Sequence, residues 1–139
     1  MKPTTFDFES FQRNTKPNSY LVCPKDLCHT KIDAPSPVFN VGLTTLQIAW
    51  QKLITDQPRI QLLADNTKDF SYQYVQRSLI FRFPDIINVK LIPLDHTHST
   101  IALYSSSVYG HYDFNVNQKR VRKWLSALQH EVSKQHKNN

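Results

Sequence analysis

The chain lacks any apolar run close to the roughly 20 residues that a membrane-spanning helix needs. Its opening stretch, MKPTTFDFESFQRN, has no apolar core of the kind a signal peptide or anchor requires. As written, the sequence reads as cytoplasmic, with peripheral association with a membrane left open. Cysteine is scarce: Cys23 and Cys28, in LVCPKDLCHT, are the only two. With a single adjacent histidine, His29, they fall short of the four ligands of a structural metal site. Their spacing is also wider than that of a catalytic C-x-x-C. A structural pair, bonded or free, is the expectation. The spacing permits a small disulfide loop if oxidised, whereas a reducing cytoplasm would keep both as thiols. Acids are outnumbered, 11 against 17 Lys and Arg, which gives a formal charge of +6. That balance favours anionic partners: nucleic acid, acidic lipid, or a phosphorylated or carboxylated ligand.

Apolar and aromatic residues are well supplied. Hydrophobic residues make up 40% of the chain, with eight Phe, six Tyr and two Trp, which excludes disorder as the general state. A length of 139 residues implies one domain with a sizeable core. Residues 1–40 read as an extended arm packed on that core, because Pro3, Pro17, Pro24, Pro35 and Pro37 interrupt any helix. Phe6, Phe8 and Phe11 are its expected plugs. Residues 41–139 read as an α+β core. Leu43, Leu46, Trp50, Leu53 and Ile54 share one helical face, with Thr44 or Thr45 as cap. Strands are expected over 59–64, 70–83 and 86–92, with a hairpin loop from Leu94 to Ser99. The order is α-β-β-β-β-α. It implies an antiparallel four-stranded sheet with both helices on one face and the other face partly open.

The stretch Ile101 to Leu128, IALYSSSVYGHYDFNVNQKRVRKWLSAL, organises the rest. A strand comes first, apolar on one face until the serines begin. Gly110, one of only two glycines, suits a sharp turn or a close approach. Val121, Trp124, Leu125, Leu128 and Val132 then recur at helical spacing, with Asn115 or Asn117 as N-cap. Lys119, Arg120, Arg122 and Lys123 crowd the helix start, and no acid follows until Glu131. The macrodipole disfavours cations there. Their presence calls for something anionic nearby: Asp113, Asp85, or a bound anion at free backbone N–H groups.

The run SSSVYGHYDFNVNQKRV resembles the signature of the bacterial and plastid family called domain of unknown function 1499, approximately R-S-x-S-R-x-G-x-x-D-x-G-x-N-[RK]-x-R-[VI]. Ser105, Ser107, Gly110, Asp113, Asn117, Arg120 and Val121 match it. Tyr104 and Val108 stand where the family usually has arginines, Asn115 replaces a glycine, and Gln118 replaces a basic residue. Cys23-Pro24 through Cys28 resembles its C-P-x-x-x-C segment, and Phe81-Arg82-Phe83-Pro84-Asp85 its R-F-x-D turn. The resemblance thus runs from Cys23 to Leu128 and implies a divergent member. Family members often look exported or membrane-tethered, so a cytoplasmic form would be a departure. The resemblance supplies no activity.

The residues point to a non-enzymatic binding or accessory module. Its ligand would be an anionic small molecule or a lipid headgroup at the strand–turn–helix junction, with no cofactor. Ser105, Ser107 and Asn117 would donate hydrogen bonds, Lys119 and Arg120 would supply charge, Asp113 would shape the corner, and His111 completes the set. The rival is a hydrolase using Ser107, His111 and Asp113, although nothing resembles a nucleophile elbow. Nucleic-acid binding has Tyr109, Tyr112 and Phe114 beside the basic run, but no recognised module matches the order of elements. Asp95, His96 and His98 read as a polar hairpin turn rather than a metal site.

Overall fold

A period of two along three consecutive strands decides which side chains face the helices. The computed structural model describes residues 1–66 and 68–137. Its elements are β1 (Ser19–Cys23), β2 (Ala34–Pro35), α1 (Leu43–Thr55), β3 (Ile60–Asn66), β4 (Ser71–Arg77), β5 (Pro84–Asp95), β6 (His98–Ser107) and α2 (Val116–Lys137). On one face of the sheet, Tyr72 and Tyr74 of β4, Ile87, Val89 and Leu91 of β5, and Ile101 and Leu103 of β6 join a single apolar cluster. Leu46, Ala49, Trp50, Leu53 and Ile54 of α1 and Val121, Trp124, Leu128 and Val132 of α2 join it, together with Val22, Phe39 and Val41. Full burial of such side chains stabilises by about 1.5–3 kcal/mol each. The Trp50 and Trp124 rings meet edge to face at 6.0 Å, locking the helices together. Trp50 Nε1 donates to the Tyr74 hydroxyl at 2.9 Å. Burial pushes the Tyr74 phenol above its ordinary range, so it stays protonated.

The α+β architecture is as expected, but the sheet is not four-stranded and antiparallel. It has six strands, in the order β2-β1-β6-β5-β4-β3, and is mixed. The arm supplies the two extra strands. β1 pairs antiparallel with β6, Leu21 opposite Tyr104, and β2 pairs parallel with β1. Neither strand announces itself: β1 spans five residues and β2 only two. Their hydrogen bonds come from partners far along the chain or across the ten-residue loop 24–33.

The expected long strand over 70–83 ends at Arg77. Ser78 to Phe83 form the β4–β5 loop, closed by the Ser78 N–H to the Phe83 carbonyl at 3.0 Å and the Phe83 N–H to Ser78 Oγ at 2.9 Å. β5 begins at Pro84, where a turn was expected, and continues to Asp95. The hairpin loop after it is therefore shorter than the expected Leu94–Ser99. The cap of α1 is Gly42, without a side-chain bond, rather than Thr44 or Thr45. A Cβ at Gly42 would lie 2.5 Å from the His96 carbonyl oxygen, so only glycine lets the helix start press against the β5–β6 turn.

The arm covers the second face. Phe8, Leu21, Cys23, Cys28, Ala102 and Tyr104 form a smaller cluster there, with Phe6 and Phe11 against it. Phe6 lies 4.7 Å from both Phe8 and Phe11, and Phe11 lies 4.9 Å from Tyr104. The three phenylalanines are the plugs the sequence suggests. Cys23 and Cys28 are joined by a disulfide at the end of β1. No described helix is long and apolar enough to cross a membrane. Removing the disulfide as the Cys23→Ala/Cys28→Ala pair should lower the unfolding free energy by about 2 kcal/mol, the loop-closure value for so short a loop. Urea titration checks this, and an unchanged midpoint would mean that packing alone holds the segment.

Candidate functional site

The helix-facing rows of three strands turn polar at the same end of the sheet. Along β4 the row runs Tyr72, Tyr74, Gln76; along β5 Val89, Ile87, Asp85; along β6 Leu103, Ser105, Ser107. Gln76 pairs with Asp85, and Asp85 with Ser107, which sets these side chains abreast. The first turns of α2 lie over this patch. Asn117 and Arg120, three residues apart, face down into it.

Arg120 is the hub. Its Nε donates to Gln76 Oε1 at 2.6 Å, its Nη1 to Asn117 Oδ1 at 2.8 Å and Ser105 Oγ at 3.1 Å, and its Nη2 to Asp85 Oδ2 at 2.8 Å. The Arg120 and Asp85 side chains are 11% and 13% exposed, so water screens the pair little. Asp85 is thus the anion that the basic helix start calls for. Asn117 is fully buried. Its Oδ1 accepts from Ser105 Oγ at 2.6 Å, and its Nδ2 donates to Asp113 Oδ2 at 2.8 Å, the Asn18 carbonyl at 3.0 Å and Ser107 Oγ at 3.0 Å.

The turn that delivers α2 is bent by three residues in the left-handed region. Gly110 has φ 89°, Phe114 55° and Asn115 65°. Glycine and asparagine tolerate this conformation, and a bulky residue such as Phe114 does not do so readily. The departure from the family pattern at Asn115 is therefore conservative in backbone terms. The bend returns Asp113 to the helix start, where Oδ1 accepts the Asn115 N–H at 2.9 Å and Oδ2 the Asn117 N–H at 3.2 Å. Asp113 caps α2. Asn115 and Asn117, expected to do so, occupy the boundary and the buried first turn.

The structure brings Ser105, Ser107, Asp113, Asn117 and Arg120 into one network and leaves His111 and Lys119 exposed beside it. Among the described residues, no hydrogen bond joins His111 to Ser107 or Asp113. The Asp113 carboxylate is occupied by the cap. At the β5–β6 turn, His98 Nδ1 meets Asp95 at 2.9 Å. The Thr97 backbone N–H, followed by His98, holds the Asp95 carboxyl below its ordinary range. Gln76 and Asn18 belong to the network and were missed by sequence reasoning. Gln76 could have been found as the polar end of the Tyr72–Tyr74 alternation, whereas Asn18 gave no signal.

Beside the network lies an open cleft of about 690 Å³, walled by the arm on one side and by Tyr112 to Arg122 on the other. Arg13, Lys16, Lys31 and Arg122 bring four positive charges to it, and Asp33 and Asp113 two negative ones. Both acids are engaged, Asp33 with Arg13 at 2.9 Å and Asp113 as the cap. Lys16, Lys31 and Arg122 are exposed, and none has a carboxylate within 4.0 Å among the described residues. Arg122 is steadied by the Tyr20 ring, 5.9 Å from its guanidinium carbon, and the Gln118 side-chain amide lies 2.8 Å from its Nη2, an acceptor when turned oxygen-first toward it.

Residues 43–128 match the family described as Protein of unknown function (DUF1499). The chain belongs to this family. A comparison with curated proteins gave no match. The matched DUF1499 region contains Gln76, Asp85, Ser105, Asn117 and Arg120, so it holds the network complete except for Asn18. The arm, with its three cleft cations, precedes it.

Two outcomes test the network. Arg120→Met leaves Asp85 buried without a partner and should cost about 3–5 kcal/mol in urea unfolding. Arg120→Met/Asp85→Leu should cost much less than the sum of the single losses; strict additivity would show that the pair is not coupled. Asn115→Val forces a β-branched residue into the left-handed region and should cost about 1–2 kcal/mol by the same assay.

Proposed function

We propose that this DUF1499 protein is a non-enzymatic binding or accessory module that takes an anionic group, phosphate or carboxylate, in the cleft between the arm and the start of α2. The observation that carries this reading is the set of cations there without carboxylate partners. Lys16 and Lys31 come from the arm and Arg122 from the helix, and Arg122 is already held in place by Tyr20 and Gln118. A guanidinium fixed in this way loses little freedom on binding an anion. The flanking Lys119 adds to the same positive field.

In this reading Arg120 and Lys119 do not share one task. Arg120, Ser105, Ser107 and Asn117 spend their hydrogen bonds on each other and on the sheet, and so hold one wall of the cleft in shape. Asp113 borders the cleft while fixing the helix start. Charge for the ligand comes from Arg122, two residues further on, and from Lys16 and Lys31 of the arm. A free metabolite and a lipid headgroup offer the same chemistry to this site.

Pyrophosphate at low ionic strength is the probe. Calorimetry should detect binding that weakens as salt rises toward physiological strength, where the screening length is about 8 Å. Arg122→Gln should weaken it roughly tenfold, a loss of about 1.4 kcal/mol, with the unfolding midpoint retained because Arg122 is exposed. Equal affinities for wild type and Arg122→Gln would sink the reading.

A further inference from the structure

Two neighbouring loops at the network end of the sheet expose apolar side chains that the core could have taken. In the β4–β5 loop, Ile80 is 78% and Phe81 73% exposed, with Leu79 and Phe83 also exposed. In the β6–α2 loop, Tyr109 is 67% and Phe114 76% exposed. The loops are held side by side, because Asp85 pairs with Ser107 and the Val108 N–H donates to the Pro84 carbonyl at 3.2 Å. Neither is loosely built. The Phe81 and Phe83 rings stack at 5.5 Å, and Tyr112 meets Phe114 edge to face at 4.9 Å. Phe114 keeps its exposed position at a positive φ that a bulky side chain resists.

The charge around these tips has one sign. Residues 77–83 contain Arg77 and Arg82 and no acid, and residues 107–116 contain one acid, Asp113, which is turned inward as the cap. Arg59 Nε donates to the Arg77 carbonyl at 2.9 Å, and Arg77 Nη1 to the Arg82 carbonyl at 3.2 Å. Two guanidinium groups are thus held at the base of the hairpin by backbone oxygens, and the exposed Arg82 adds a third cation to the loop. Apolar and aromatic tips above a belt of cations are the complement of an anionic headgroup layer over hydrocarbon. A second copy of this chain fits the surface poorly. It would bring the same cations and the same net charge of +6 to the contact.

We propose that the paired loops dock the protein on the surface of a bilayer containing anionic lipid, with Ile80, Phe81 and Phe114 entering the interfacial layer and Arg59, Arg77 and Arg82 meeting headgroup phosphates. This goes beyond the anion-binding reading, since Ile80 and Phe81 do not line the cleft. Cosedimentation of the full chain with vesicles of phosphatidylcholine mixed with phosphatidylglycerol tests it, against vesicles of phosphatidylcholine alone. The protein should partition onto the mixed vesicles and much less onto the neutral ones. Ile80→Ser/Phe81→Ser should lower that partition roughly tenfold or more, with an unchanged unfolding midpoint, since both side chains are exposed. Phe81→Trp should gain fluorescence quenching by brominated lipid, over the background of the buried Trp50 and Trp124. No partition onto the mixed vesicles overturns the proposal, and so does equal partition of wild type and Ile80→Ser/Phe81→Ser. A wild-type dimer in sedimentation velocity that the double variant abolishes would assign the face to a second copy and overturn it too. Failure of the pyrophosphate titration leaves these outcomes standing.

Discussion

The pairing of Arg120 with Asp85 is the constraint on which the corner of this fold depends. A cation in the first turns of a helix opposes the macrodipole, and a buried one must also lose its water. Here both costs are offset by a carboxylate from β5, an amide from β4, a hydroxyl from β6 and the helix's own Asn117. One guanidinium thus joins three strands to α2 by directional bonds. Asn117 extends the connection to the arm through the Asn18 carbonyl. The apolar cluster beneath supplies most of the stability, but it is indifferent to the angle at which α2 enters. The hydrogen bonds fix that angle, and with it the cleft wall and the conformation of both neighbouring loops.

Much of this corner was legible in the sequence. The change from apolar to serine along β6 marked where burial gives way to polar contacts. The basic helix start demanded an anion, and Asp85 was among the candidates. Gly110 marked a true left-handed turn. What stayed hidden has common physical causes. β1 and β2 form because their partners wait in β6, and five residues among prolines carry no period to betray them. The cap falls to Asp113 because two consecutive left-handed residues fold it back, and pattern alone favoured the asparagines nearer the helix. Ser78 to Phe83 has strand composition, which points to a strand. Its composition suits exposure at a surface, and periodicity cannot tell the two apart. The cleft cations come from an arm whose path only tertiary contacts determine.

The corner also inverts the usual distribution of chemistry. Its interior is polar and charged, and its outer tips are apolar. Each half makes the other tenable. A satisfied polar network is rigid because its geometry is specific, and rigidity lets the loops hold hydrophobic side chains in water without collapsing inward. The cations follow the same division: Arg120 is spent inside, whereas Arg122, Lys16 and Lys31 remain outside.

The two-residue strand β2 has a consequence for how copies of this chain meet. Every open sheet has two rims with unpaired backbone groups, and continuous stacking of molecules requires both to be receptive. Here one rim is β2, where Pro35 lacks the N–H needed to recruit another strand and Pro37 follows closely. The other rim, β3, is seven residues long and carries a register shift between Leu62 and Ala64. One closed rim is enough to stop stacking, because a molecule joined through β3 offers the next one nothing to continue from. The short proline strand therefore acts as a chain terminator, limiting any edge-to-edge growth to a pair.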